Sequence, residues 1–446
     1  MTCAANKTRP LALLLIGMLG GAAAPASAMT LGDAYQRAVQ HDPAIASSLA
    51  QYEADREASE LERATLRPVV SASGKYEYAR TDAKGVFGSA DDPYPSWSAA
   101  LSARQPLFRL DWFARGDRAS ALDELSDISV VDRRQKLLLR VAERYFGVLN
   151  AQDAVSQAGA EAEAVRESLE DTRKRYEVEL VPGTDLKEAQ ARDDLAQARL
   201  LSARRSLENA RDALDEVTGN GRVDLPQIGE NTVFPPLQPA QVDDWVKAAR
   251  DHNPGILQAR QNLVIAGADR RSRVAEAAPS LDLVGKVARS DDSEFDFGQR
   301  MDDSRVGVEL TVPLYAGGAV SAAKRQAAAK ERFAAAELSR TTLETERQTR
   351  QLFNQVQTAY AETEAYHKAL ISAQAAEKAT RAGYEAGTRT ITDVLDAQSR
   401  TVQARLNYDS TRYSLLLNLL QLKQAAGSLT ERDFAQIDQL LSPQAQ

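Results

Sequence analysis

The spacing of apolar side chains along this chain changes several times, and each change marks an element. Thr30 to Leu66 is rich in Ala, Glu and Arg, which predicts a helix, and Pro68 stops it. The period then becomes two. Val70, Ala72, Gly74, Tyr76 and Tyr78 alternate with Ser71, Ser73, Lys75 and Glu77, and Trp97, Ala99, Leu101 and Ala103 alternate with Ser98, Ser102 and Arg104. This predicts a β-hairpin over about 69–108. Residues 114–181 contain no proline and little glycine, so one helix of about 100 Å is expected there. Within it Val155, Ala158, Ala162, Val165, Leu169, Thr172 and Tyr176 follow the 3-4 spacing of a coiled-coil seam. A turn near Pro182-Gly183 leads to a return helix over 184–218.

The same grammar then repeats. His41-Asp42-Pro43 returns as His252-Asn253-Pro254, Pro68 as Pro279 and Gly74 as Gly285, each 211 residues later. Tyr176-Glu177 returns as Tyr384-Glu385 and Asp185, Ala189 and Gln190 as Asp393, Ala397 and Gln398, each 208 residues later. An ordered series at nearly constant offset indicates an internal duplication, not a solenoid of short units. The first repeat spans 29–220 and a proline-rich crossover 221–240. The second repeat, 241–427, holds a helix, a hairpin over about 280–315, a long helix over 319–386 and a return helix over 390–426. In its hairpin Leu281, Leu283, Gly285 and Val287 oppose Asp282 and Lys286. Val306, Val308, Leu310, Val312 and Leu314 alternate with Gly307, Glu309 and Thr311. Residues 428–446 read as a C-terminal tail.

The N-terminus adds an address. Lys7 and Arg9 precede an apolar run from Leu11 to Ala24, and Ala26-Ser27-Ala28 is the small-residue pattern of a signal-peptide cleavage site, so 1–28 is expected to leave after Ala28. The one cysteine, Cys3, leaves with it, which removes disulfides, thiolate metal sites and cysteine nucleophiles. Across 446 residues, 55 Lys and Arg against 63 Asp and Glu give a net charge of −8, which does not suit a nucleic-acid binder. No Ser-His-Asp pattern, P-loop or HExxH motif is present, so no enzyme chemistry and no cofactor are expected.

Two hairpins with about ten residues per strand, apolar on one side and polar on the other, match transmembrane β-strands with lipid outside and water inside. Four strands cannot close a barrel, and open edges are not tolerated in lipid, so several chains must contribute. Three would supply twelve strands. The competing expectation from pattern alone is a small soluble β-domain on a coiled coil.

Three stretches resemble a known family. Gly387-Thr388-Arg389-Thr390-Ile391-Thr392-Asp393-Val394-Leu395-Asp396-Ala397, Pro313-Leu314-Tyr315-Ala316-Gly317-Gly318 and the duplicated His-Asp-Pro/His-Asn-Pro are similar to the TolC-like outer-membrane efflux and secretion proteins. The resemblance covers nearly all of the mature chain. It implies an α+β membrane protein working as a homotrimer in the cell outer membrane: a 12-stranded β-barrel continued by a coiled-coil α-barrel across the periplasm. It implies a passive exit duct for type I protein secretion or multidrug efflux. The partners would be a periplasmic adaptor and an inner-membrane ABC or RND-type pump. The rival assignment is a soluble periplasmic coiled-coil adaptor.

The same resemblance places a constriction at the helix turns. Asp393 and Asp396 open the second return helix, where helix capping is the simple role and a ring of carboxylates the functional one. Glu188 is the repeat counterpart of Asp396. Matching positions suggest closing links from Tyr384 and Arg389 to Asp185, with Thr184 as a further acceptor. The first turn, Val181-Pro182-Gly183-Thr184-Asp185, lacks the Gly-Thr-Arg-Thr wording, so the two turns are not equivalent. The acidic run over 291–303 reads as an external loop, with ion or polysaccharide contact as the alternative. His41 and His252 are expected to serve turns or caps, and His367 a helix surface; none has a ligand cluster around it.

Overall fold

The computed structural model describes residues 29–79, 83–85, 88–90, 94–219, 223, 225–229, 232–292 and 299–441. The leader, with Cys3, Ala26 and Ala28, lies outside them, as do Glu294 and Asp296. The expected first helix is in fact two, α1 (Leu31–His41) and α2 (Pro43–Ala64). The Asp42 carboxylate accepts the Ala44 N–H at 2.8 Å, and Pro43 takes the first helical position, where its missing N–H costs nothing. The second repeat breaks in the same way, between α5 (Val242–His252) and α6 (Pro254–Ala275). There Asn253 accepts from Gly255 and Ile256 at 2.9 and 3.2 Å. The duplicated histidines abut the glycines that end the return helices. A Cβ on Gly219 (φ +68°) would stand 1.9 Å from the His41 ring, and one on Gly427 (φ +72°) would stand 2.2 Å from the His252 carbonyl oxygen.

The strands form one antiparallel sheet in the order β1 (Val69–Ala79), β4 (Tyr94–Phe108), β5 (Ser280–Asp292), β6 (Gln299–Thr311). Short β2 (Ala83–Gly85) and β3 (Gly88–Ala90) make a separate ribbon. The central β4–β5 pair joins the two repeats. Register sorts the faces: Val70 opposes Ala103, Leu101 opposes Val287, Gly285 opposes Val306 and Leu283 opposes Val308. On the other face Arg104 reaches Asp282 at 2.8 Å and Glu309 at 3.1 Å, and Ser71 meets Ser102 at 2.8 Å. The apolar face is bare: Val306 is 85% and Tyr76 73% exposed. Val312 and Leu314 fall beyond the end of β6, so the last strand is shorter than the alternation suggested.

Two helices of 66 and 67 residues, α3 (Trp112–Glu177) and α7 (Ala319–Glu385), leave the foot of the sheet. They turn into α4 (Gly183–Thr218) and α8 (Ile391–Ala425). Four helices therefore lie side by side at each level: α2, α3, α6, α7 near the sheet, and α4, α3, α8, α7 farther out. Their mean composition is polar. Among the described residues no helix is long and apolar enough to cross a membrane.

The main core is a belt around the middle of α3. Tyr145 and Val148 pack there with Leu31 and Tyr35 of α1, Leu214 of α4, Leu225 and Ile228 of the crossover, and Leu416 and Leu420 of α8. Residues 428–446 are not simply a tail. Glu431–Leu441 forms α9, whose Phe434, Ile437 and Leu441 are buried in the belt. Asp438 of α9 caps α1, accepting from the N–H groups of Leu31 (2.7 Å) and Gly32 (3.0 Å).

Candidate functional site

The far end of the helices is where the charged residues of both repeats converge. Each long helix ends in a left-handed residue. Gly387 (φ +74°) ends α7, and Thr388 and Arg389 then donate to the Gly383 carbonyl at 2.9 and 3.2 Å. At the repeat-equivalent position after α3 stands Glu179 (φ +61°), with the Leu180 N–H closing onto the Arg175 carbonyl at 2.8 Å. The two tips are held together by a small apolar cluster: Ala162 and Val165 of α3, Ala196 of α4, and Ile391, Val394 and Leu395 of α8. Tyr384 packs at its edge.

Around that cluster lie several polar contacts. The Tyr384 hydroxyl donates to Asp171 at 3.4 Å, not to Asp185 as the sequence suggested. Asp171 is held by Arg175 at 2.9 Å, and the Arg175 guanidinium stacks 4.8 Å over the Tyr384 ring. Burial raises the Tyr384 phenol above its ordinary range against the opposing pull of Arg175. The Thr184 hydroxyl donates to the Asp185 carboxylate at 3.3 Å. Among the described residues no bond joins Arg389 to Asp185; the Arg389 side chain lies over Gly383.

Asp393 is committed to its own helix. Its carboxylate accepts the Thr390 N–H and hydroxyl, both at 2.9 Å, while the Asp393 N–H returns to the Thr390 hydroxyl at 3.2 Å. The backbone hydrogen bond from Thr390 holds this carboxyl below its ordinary range. Asp396 is placed differently. Arg192 of α4 reaches it across the two hairpins at 2.9 Å, and lies 3.6 Å from Glu188 one turn earlier on its own helix. Sequence reasoning missed Arg192, Asp171 and Arg175. A Glu188-Arg192 pair at i, i+4 was visible, but nothing in the sequence said that α8 lay opposite.

Elsewhere the charged groups find local partners. In the acidic run Asp291 pairs with Arg300 (3.4 Å), Asp302 with Arg289 (2.5 Å) and Asp303 with Arg305 (2.8 Å). The His367 ring lies 5.0 Å from that of Tyr408. In the belt Asp153 accepts from Tyr413 at 2.7 Å and from Gln227 at 2.9 Å, and Arg412 donates to the Gly229 carbonyl at 2.8 Å. These bonds tie the crossover to α3 and α8. Burial raises the Asp153 carboxyl despite the Tyr413 hydrogen bond.

An outward apolar sheet, long helix pairs written twice and charged tips form a pattern that comparison can test. The family model described as "Outer membrane efflux protein" matches residues 34–220 and 245–428. The chain belongs to that family. The two matched spans correspond to the two halves of the duplication. The outer membrane protein TolC of Escherichia coli (strain K12) is 32% identical over 96% of this chain and 88% of its own length. The alkaline protease secretion protein AprF of Pseudomonas aeruginosa is also 32% identical, over 92% of this chain and 86% of its own. In fold the chain matches the outer membrane protein VceC of Vibrio cholerae, with a TM-score of 0.77 at 18% identity over 89% of this chain and 96% of that one. The protein is an outer-membrane exit duct for secretion and efflux, of a family of channels. The soluble-adaptor assignment falls with this membership.

Proposed function

We propose that three copies of this chain assemble around one axis. Each supplies four strands to a twelve-stranded barrel and four helices at each level to a twelve-helix tunnel. The observation that carries this reading is the sheet itself. Among the described residues its edge strands β1 and β6 pair with nothing further, and its apolar face is bare. Lipid forbids open edges, so β1 of one copy must pair with β6 of the next. The duct holds no catalytic or cofactor chemistry and works passively. A periplasmic adaptor docks it to an inner-membrane ABC or RND-type pump, which supplies energy and selects cargo.

The tip is the periplasmic mouth. Tyr384 and Arg389 with Asp185 and Thr184, and Asp393 with Asp396, are its gating and charge-bearing residues. The Tyr384–Asp171–Arg175 contact holds the second hairpin against the first within each copy. Arg389 faces Thr184 and Asp185 of the neighbouring copy. Exposed ion pairs contribute only ~0–1 kcal/mol each, so a threefold set biases the mouth shut yet leaves it within an adaptor's reach.

The barrel assignment is tested by comparing Leu310→Arg with Glu309→Arg. A charge on the lipid face costs ~2–4 kcal/mol near the bilayer midplane. The Glu309 variant loses only an exposed contact with Arg104. Outer-membrane fractionation and unboiled gel mobility should show assembly lost in the first and kept in the second. Equal behaviour of the two overturns the assignment.

A further inference from the structure

Asp396 is a carboxylate of the mouth whose cationic partner belongs to the other hairpin. Arg192 approaches it from α4 at 2.9 Å, while Glu188, on the same helix as Arg192, stands 3.6 Å from the same guanidinium nitrogen, Nη2. Both members of the pair are partly open to water, with about a third of Arg192 and 43% of Asp396 exposed. Asp393 has no such neighbour: its charge is satisfied by the start of its own helix, and that arrangement travels with α8 wherever α8 goes. The two aspartates, three residues apart, therefore differ in how they respond to motion. Parting the hairpins leaves the Asp393 cap intact and breaks the Arg192–Asp396 pair. Glu188 already lies within ion-pair distance of Arg192 on the same helix, so its pairing does not depend on the contact between hairpins.

We propose that Asp396 is a switched charge: Arg192 neutralises it while the mouth is closed, and separation of the hairpins releases it, so that selectivity for cations is gained on opening. Arg192 is thus a specificity-determining residue that acts through Asp396. The inference rests on the mouth assignment made above. In the closed duct the charge facing the axis comes from Asp393 alone. In the open duct it comes from both carboxylates of each chain, Asp393 and Asp396. The ligands the open ring would take are small cations, and divalent ions above all, because neighbouring carboxylates bind them cooperatively.

The test is the reversal potential of the full mature protein in planar bilayers under a potassium chloride gradient, with and without millimolar magnesium. Trimer mobility on unboiled gels confirms that each variant is assembled. Arg192→Gln should raise the potassium-to-chloride permeability ratio of the closed duct roughly two- to fivefold, the scale set by an exposed ion pair, and should sharpen magnesium block. Adding Asp396→Asn should cancel both changes. In the loosened background Tyr384→Phe with Arg389→Ser, where Asp396 is already free, Arg192→Gln should change the ratio little.

If Arg192→Gln leaves the ratio unchanged while Asp393→Asn with Asp396→Asn lowers it, the switch is overturned and the mouth assignment stands. If Arg192→Gln shifts the ratio equally in the closed and loosened backgrounds, Arg192 is a fixed counter-charge and the switch is again overturned. If the paired aspartate variant has no effect in any background, the mouth assignment falls and the inference with it.

Discussion

Glu179 holds a backbone conformation that its repeat counterpart, Gly387, holds without strain. A side chain in the left-handed region costs ~1–2 kcal/mol, which glycine avoids. Glu179→Gly should therefore stabilise the first turn by up to ~1 kcal/mol, after the extra freedom glycine has in the unfolded chain is counted. Gly427→Ala should do the reverse. Its Cβ would enter the His252 carbonyl at 2.2 Å, where backbone rather than a flexible side chain must move. A loss of ~2 kcal/mol or more is expected, in the range of strain at a special backbone conformation. Thermal melting of the two variants beside wild type checks both signs. Neither effect was legible beforehand. The duplicated histidines, 211 residues apart, stood out in the sequence, but the glycines they touch, 208 residues apart, did not, because contact between a helix end and a distant turn leaves no local pattern.

At the scale of elements, the second return helix begins with a cap that titrates. The Asp393 carboxyl is held below its ordinary range by the Thr390 N–H, so ionised Asp393 stabilises the folded tip. That contribution is fully present above the unfolded carboxyl value of about 3.9 and is lost as the pH falls through the lower folded value. Amide exchange of residues 390–395 should show no change in protection between pH 7 and about 5, once corrected for intrinsic rates, and loosening below about pH 4. Asp393→Asn, whose cap does not ionise, should show no such acid step.

The contact between hairpins behaves independently of that cap. Asp171→Asn weakens the acceptor of Tyr384 and the partner of Arg175 together. It should raise closed-state conductance in planar bilayers, and Asp185→Asn should do so only if the neighbouring copy's Arg389 binds there. The elements themselves were readable. The period-two runs gave both hairpins and the proline-free stretches gave both long helices. The partner of Tyr384 was not readable, because Asp171 and Asp185 lie on either side of the first turn and the sequence cannot say which of them faces α8. The split at Asp42 was missed for a different reason: a proline at the first helical position looks the same in sequence whether it starts a helix or interrupts one.

At the scale of the whole molecule, duplication explains the architecture. One unit of helix, hairpin, long helix and return helix cannot bury its sheet edges or close its helix layer. Two units joined through β4 and β5 still leave β1 and β6 open. The chain puts its own core into a belt midway along the helices, where α1, α9 and the crossover wrap α3 and α8, and leaves the remainder of its apolar surface for lipid and for other copies. The tail was misread because eleven residues with four buried positions make only three turns of helix, too short for periodicity to stand out. The central claim is that the duct is built by three chains and by no other number. Native mass spectrometry of the protein extracted from outer membranes in mild detergent measures this directly. Three mature chains per particle is the result the account predicts; a monomer, a dimer or a tetramer contradicts it.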